Sequence, residues 1–204
     1  MKNLPLIGTM VLGSLAAAQA QDYYKNPQPL FSKRPDPTQS AYPVTEFGPV
    51  GMSLDLLKPN FIIRIKALEP GSPAEKTGEL RPGMIIHSIN GEKLADIDPR
   101  IQLGDMITKA EAADGKMRMV VSDDLEGATR EVVVQLQALG AYSETWPLNC
   151  PKSDKIVSQY ADYLTQEDAH KGFAEIGMLF LLSTGDDNYL PTVRDWAHEV
   201  SKKK

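Results

Sequence analysis

Apolar and polar side chains alternate along Phe61–Leu68, where Ile63 and Ile65 interleave with Arg64 and Lys66. This is the period of a half-buried strand. Glu69-Pro70-Gly71 interrupts it, because proline has no N–H to give a ladder and glycine admits positive φ. Ser72-Pro73-Ala74-Glu75 then reads as a helix start, a serine cap followed by proline at the first helical position, and Gly78 ends the single turn. Arg81-Pro82-Gly83 leads into a second strand, Met84–Ile89, closed by the Asn90-Gly91 turn. Upstream, Val44–Phe47 predicts a first strand, and Met52–Leu57 another that Lys58-Pro59-Asn60 turns back onto the strand at Phe61. Downstream, a helix is predicted between Ile97 and Ala113, with Asp98 as its cap, Pro99 at its first position and Gly115 beyond its end. Leu103, Met106, Ile107 and Ala110 share one stripe of it. Lys116–Ser122 and Thr129–Leu136 form a predicted hairpin, with Met117, Met119 and Val121 on one face of the first strand and Val132, Val134 and Leu136 on one face of the second.

After Leu139 the period changes. Gly140–Ser153 is rich in aromatic and turn residues, and three helical patterns follow. Ser153–Leu164 places Ile156, Val157, Tyr160 and Leu164 on one face. Ala169–Ser183 contains the run Ile176–Leu182, apolar on almost every side, with Gly185 as its C-terminal cap and Asp186-Asp187-Asn188 opening the next turn. A third helix near Pro191 sets Val193, Trp196, Ala197 and Val200 at i, i+3, i+4 and i+7. At the other end, residues 1–20 have the form of an export signal: Lys2, the apolar run Leu4–Ala18, and the small-residue site Ala18-Gln19-Ala20 before Gln21. That run is short for a membrane span and carries Pro5, Gly8 and Gly13. No membrane association is expected after its removal. Residues 21–43, with Pro27, Pro29, Pro35, Pro37 and Pro43 among polar neighbours, read as an extended spacer.

The tract Gly71-Ser72-Pro73-Ala74, followed by Leu80–Gly91 (LRPGMIIHSING), resembles the PDZ domain in the form found in secreted bacterial proteins. The resemblance covers Val44 to Leu139 and implies an α+β fold: a small, partly open β-barrel with two helices, followed here by a short all-α tail. The tail resembles the beginning of an α/α helical-repeat domain. A bacterial family of unknown function joins a PDZ module to such repeats through a similar link, matched by Tyr142, Ser143, Thr145, Trp146, Pro147, Cys150, Pro151, Lys152 and Ser153. In that family the helices continue further, which makes a truncated member the first expectation. The expected organisation is signal 1–20, linker 21–43, PDZ domain 44–139, and linker with three helices 140–204.

The PDZ resemblance implies a peptide site. Val50-Gly51-Met52 occupies the position of the carboxylate-binding loop, where a glycine lets backbone amides converge on an anion. Pro49 removes one donor, so an anion nest and a plain Gly-Pro turn stand as two readings. Met52–Leu57 is expected as an edge strand, with Ser53 and Leu54 exchanging main-chain hydrogen bonds with a bound peptide or protein C-terminus. Leu103, Met106 and Ile107 are the candidates on the facing helix. No histidine starts that helix, so an apolar ligand end is favoured over one with Ser or Thr two places before its end.

Charge and chemistry narrow the rest. The net charge of −5 argues against nucleic acid and anionic membranes as partners. The one cysteine permits no internal disulfide, so the fold must rest on its apolar core. Cys150 with His170 or His198 is the only thiol–imidazole combination, and Asn149 and Pro151 fit no cysteine-protease signature. His87 sits in a strand and reads as structural. The three histidines and Asp186-Asp187-Asn188 offer no metal-ligand spacing, and no cofactor motif is present. No catalytic residue is therefore assigned. The expected function is an exported, non-catalytic PDZ adaptor that self-associates through its tail. The alternative is an accessory or regulatory piece of a larger enzyme, a protease or a carbohydrate-processing protein.

Overall fold

In the computed structural model, which describes residues 38–94, 99–166 and 174–202, six strands pair antiparallel in chain order. They are β1 (Ala41–Val44), β2 (Met52–Leu57), β3 (Ile62–Leu68), β4 (Ile85–Ile89), β5 (Lys116–Ser122) and β6 (Arg130–Gln135). Helix α1 (Pro73–Lys76) links β3 to β4, and α2 (Pro99–Ala112) links β4 to β5. Three helices follow: α3 (Pro151–Leu164), α4 (Ala174–Ser183) and α5 (Leu190–Lys202). The architecture is α+β, an open antiparallel sheet with helices and a helical C-terminal region. The export signal, most of the proline-rich segment, the Asp98 cap and the start of the second tail helix lie outside the described residues.

Local chemistry explains the joints. Ser72 caps α1 by accepting from the Glu75 amide at 3.2 Å, and the Glu75 carboxylate accepts from the Gly71 amide at 2.6 Å, a reciprocal arrangement that satisfies donors the helix start would orphan. Asn90 (φ 50°) and Gly91 (φ 79°) supply the two positive angles of the tight turn after β4. Gly115 (φ 76°) ends α2 where a Cβ would collide with the Leu136 carbonyl. Inward residues of every strand, among them Leu54, Leu56, Ile65, Ile86, Met117, Met119 and Val134, form one core with Leu103, Met106 and Ala110 of α2.

Two expectations are corrected. The first strand lies at Ala41–Val44 rather than Val44–Phe47, so the end of the supposed linker is sheet. Tyr42, only 6 % exposed, is its inward anchor, while Phe47 leaves the strand to enter the core. The inner face of α3 keeps Leu164 of the expected stripe and loses the other three residues. Ala161 and Leu164 pack with Leu181 and Trp196 in a second, smaller core, whereas Ile156, Val157 and Tyr160 remain exposed. The start of α3 is oriented by a polar contact that apolar periodicity does not record. Lys152 is 2 % exposed, its Nζ lies 2.8 Å from Glu111 Oε2 of α2, and it stands 4.4 Å over the Tyr142 ring. The same turn of α2 also accepts the Leu139 and Gly140 amides at the Glu111 carbonyl, both at 2.9 Å.

Breaking this pair leaves a largely enclosed charge. Lys152→Ala is expected to cost about 3 kcal/mol and to lower Tm by roughly 6–12 °C. Lys152→Met with Glu111→Gln should recover at least half of that loss. Thermal scans of the three chains decide the point, and an unchanged Tm in Lys152→Ala would show the pair to be inert.

Candidate functional site

Helix α2 and strand β2 of the expected groove are both formed, but β2 is not an edge. β2 pairs with β3 on one side and with β1 on the other, in the register Ala41↔Leu57, Tyr42↔Leu56, Pro43↔Asp55 and Val44↔Leu54. The expectation that β2 carries unpaired N–H and C=O groups is therefore corrected. The Lys58 amide donates to the Ser40 carbonyl at 3.0 Å, one step beyond this register. Hydrogen-bonded pairs alternate in an antiparallel ladder, so Tyr42 and Val44 point their amides at β2, and Ala41 and Pro43 point theirs away. The missing donor of Pro43 thus falls on the outer edge, where an edge strand tolerates proline.

Beside β1 lies a cavity of about 340 Å³, lined by residues 42–48 and by Arg100, Leu103, Gly104 and Ile107 of α2. Of the eight residues singled out from the sequence, Leu103 and Ile107 line it. Val50, Met52, Leu54 and Met106 are core residues. Gly51 is buried and left-handed (φ 77°, ψ 50°) at the end of a 3-10 turn, Gly48–Val50. Ser53 is half-buried and donates its hydroxyl to the Thr45 carbonyl at 2.7 Å. Sequence reasoning gave the segment 42–47 no part in the site: residues up to Pro43 read as linker, and Val44–Phe47 as a first strand away from the groove. It also missed Arg100 and Gly104, although Arg100, Leu103, Gly104 and Ile107 have the i, i+3, i+4, i+7 spacing of one helical face.

The loop before β2 spends its donors internally. The Val50 amide goes to the Phe47 carbonyl at 3.1 Å, the Gly51 amide to the Gly48 carbonyl at 3.4 Å, and Pro49 has none. The geometry is that of the Gly-Pro turn. A Cβ at Gly48 would stand 2.9 Å from Ile107 Cδ1, so glycine there lets the loop close against α2.

Two polar clusters lie elsewhere. His87 Nε2 and Ser122 Oγ are 2.6 Å apart, and Ser122 donates its own proton to the Asp124 carbonyl. The hydroxyl therefore accepts from the imidazole, the reverse of what an imidazole base and a nucleophile require. Cys150 is enclosed at the N-terminus of α3 and accepts from the Ser143 amide at 3.4 Å. Hydrogen bonding from the Ser153 side chain, and less from Ser143, holds its thiol down to about 6 against the upward push of burial. His170, one of its two notional partners, lies outside the described residues. No group of three or more His, Cys, Asp or Glu that could hold a metal is found among the described residues.

Residues 43–122 match the PDZ domain. Residues 153–204 match a second family, Domain of unknown function (DUF6288). No curated protein matches the chain. The PDZ match takes in α2, the loop and β2 through β5, and stops before β6. It supports a protein-interaction or adaptor role in general.

The Cys150 thiol gives a pH prediction. Thiolate absorbance of the native chain should rise with a midpoint near 6, against roughly 8.5 in denaturant; Cys150→Ser should show neither step. A thiol whose folded value is depressed stabilises the fold fully above its unfolded value, and the contribution is lost as pH falls through about 6. A native midpoint above 8 would refute the hydrogen-bonded thiolate.

Proposed function

We propose that this chain is an exported, non-catalytic PDZ adaptor that holds an extended segment of another protein, internal or C-terminal, by β-strand addition. One observation carries the reading: an antiparallel sheet and α2 face each other across a cavity of about 340 Å³ with apolar Leu103 and Ile107 on the helical side. Main-chain pairing supplies affinity in such a site and side-chain pockets supply selectivity. Because the loop amides are internally bonded, carboxylate capture contributes little and apolar side chains dominate. Export rests on the signal-like residues 1–20. The non-catalytic reading is supported by the reversed hydrogen bond between His87 and Ser122.

Assembly through the tail is part of the proposal. Ile176 (68 %), Leu179 (69 %) and Leu182 (50 %) of α4 are exposed, more apolar surface than a monomeric helix ordinarily leaves to water. The same observation favours a second reading, an accessory or regulatory piece of a larger enzyme, in which another protein covers that surface.

Titration calorimetry of the whole chain against peptides with free and amidated C-termini is expected to show saturable binding that differs less than about three-fold between the two forms. Ile107→Asp should weaken it at least about ten-fold, or about 1.4 kcal/mol, with the far-UV spectrum retained. Absence of saturable binding to any extended peptide sinks the adaptor reading. For export, the protein recovered outside the cytoplasm of a bacterial host should begin at Gln21, and a cytoplasmic chain still carrying Met1 would end that part. In sedimentation, Ile176→Glu with Leu179→Glu should dissociate a self-associated form. A monomeric parent chain would favour the second reading.

A further inference from the structure

We propose that β1 is a resident ligand of the PDZ groove, and that a partner enters by displacing it from β2. The inference rests on the strand-addition reading and adds its regulation and the pattern of its ligand. β1 lies against the side of β2 that β3 leaves open, and pairs with it from Ala41↔Leu57 to Val44↔Leu54. It runs antiparallel to β2 and ends beside the loop Gly48–Val50, the direction and end point of a peptide added to that strand. Its side chains behave as ligand side chains: Tyr42 is 6 % exposed within the main core, and Val44 packs partly against the same cluster.

Two features mark this strand as exchangeable. Its outer edge is a poor template for a further strand, because the donor that Pro43 lacks is on that side. A partner strand therefore gains little by adding outside β1 and more by replacing it. A cavity of about 340 Å³ also lies between residues 42–48 and α2, so the four-residue strand leaves room in the groove for larger side chains. A displacing segment should present an aromatic residue at the Tyr42 position and an aliphatic one two places later, with an N–H where Pro43 has none. A bulkier set of side chains directed at Leu103 and Ile107 would take up that room. Self-occupancy leaves the β2 backbone satisfied until such a segment arrives, which suppresses weak or nonspecific strand addition.

The test uses the whole chain and a fluorescent peptide copying Thr38–Val44 (TQSAYPV) as the probe, read by anisotropy. One variant opens the groove, Tyr42→Ser with Val44→Ser. Another locks it, Ala41→Cys with Leu57→Cys, a non-hydrogen-bonded cross-strand pair whose close Cα spacing suits a disulfide. The opened chain is expected to bind the probe at least ten-fold tighter than the parent. The locked chain should bind at least ten-fold more weakly when oxidised than when reduced. Equal binding by oxidised and reduced forms overturns the displacement while leaving the adaptor reading intact. An opened chain that keeps its far-UV spectrum and binds nothing overturns both. The lock compares two states of one protein, so it decides the matter even where the opened variant folds poorly.

Discussion

The pairing of β1 with β2 is the constraint on which the rest of this molecule depends. A backbone amide or carbonyl buried without a partner costs more than a formed hydrogen bond returns, and the inward side chains of β2, Met52, Leu54 and Leu56, are all enclosed in the core. Something must satisfy its second edge. Here the chain does so itself with four residues, and that choice sets which backbone remains available, where the loop Gly48–Val50 turns, and why a cavity survives next to α2. Proline at position 43 follows from the same choice, since only an outward-facing nitrogen can go without its proton at no cost to the ladder.

The second organising contact lies at the far end of α2. Glu111 receives Lys152 through its carboxylate and the Leu139 and Gly140 amides through its carbonyl. The helix that forms one wall of the groove is thereby tied to the start of α3. The tail is consequently not a pendant: its first helix is anchored on the helix that lines the cavity, through a charge pair too enclosed to be treated as a surface interaction.

What could be read from the residues followed the strength of local chemistry. Proline, glycine and serine between Glu69 and Gly91 dictate turns and caps by covalent geometry, and the strand–helix–strand course there matches the expectation nearly residue for residue. The alternating strands β5 and β6 were equally plain. β1 was hidden because composition spoke for a linker: Pro43 counts against a strand unless its outward orientation is known, and orientation is a property of the pairing. The buried face of α3 was legible only at Leu164, for a related reason. Apolar periodicity favoured Ile156, Val157 and Tyr160, whereas the helix is set down by a lysine and by the small Ala161. The groove face of α2 was half legible: Leu103 and Ile107 stood out as apolar, while Arg100 and Gly104 between them did not announce a cavity.

Lys152 has one more consequence. An amine enclosed to this degree is shielded from acylating reagents and from trypsin for as long as α3 stays docked on Glu111. Chemical labelling at this single side chain, set against the exposed lysines of the same molecule, would therefore count how often the C-terminal region comes away from the sheet.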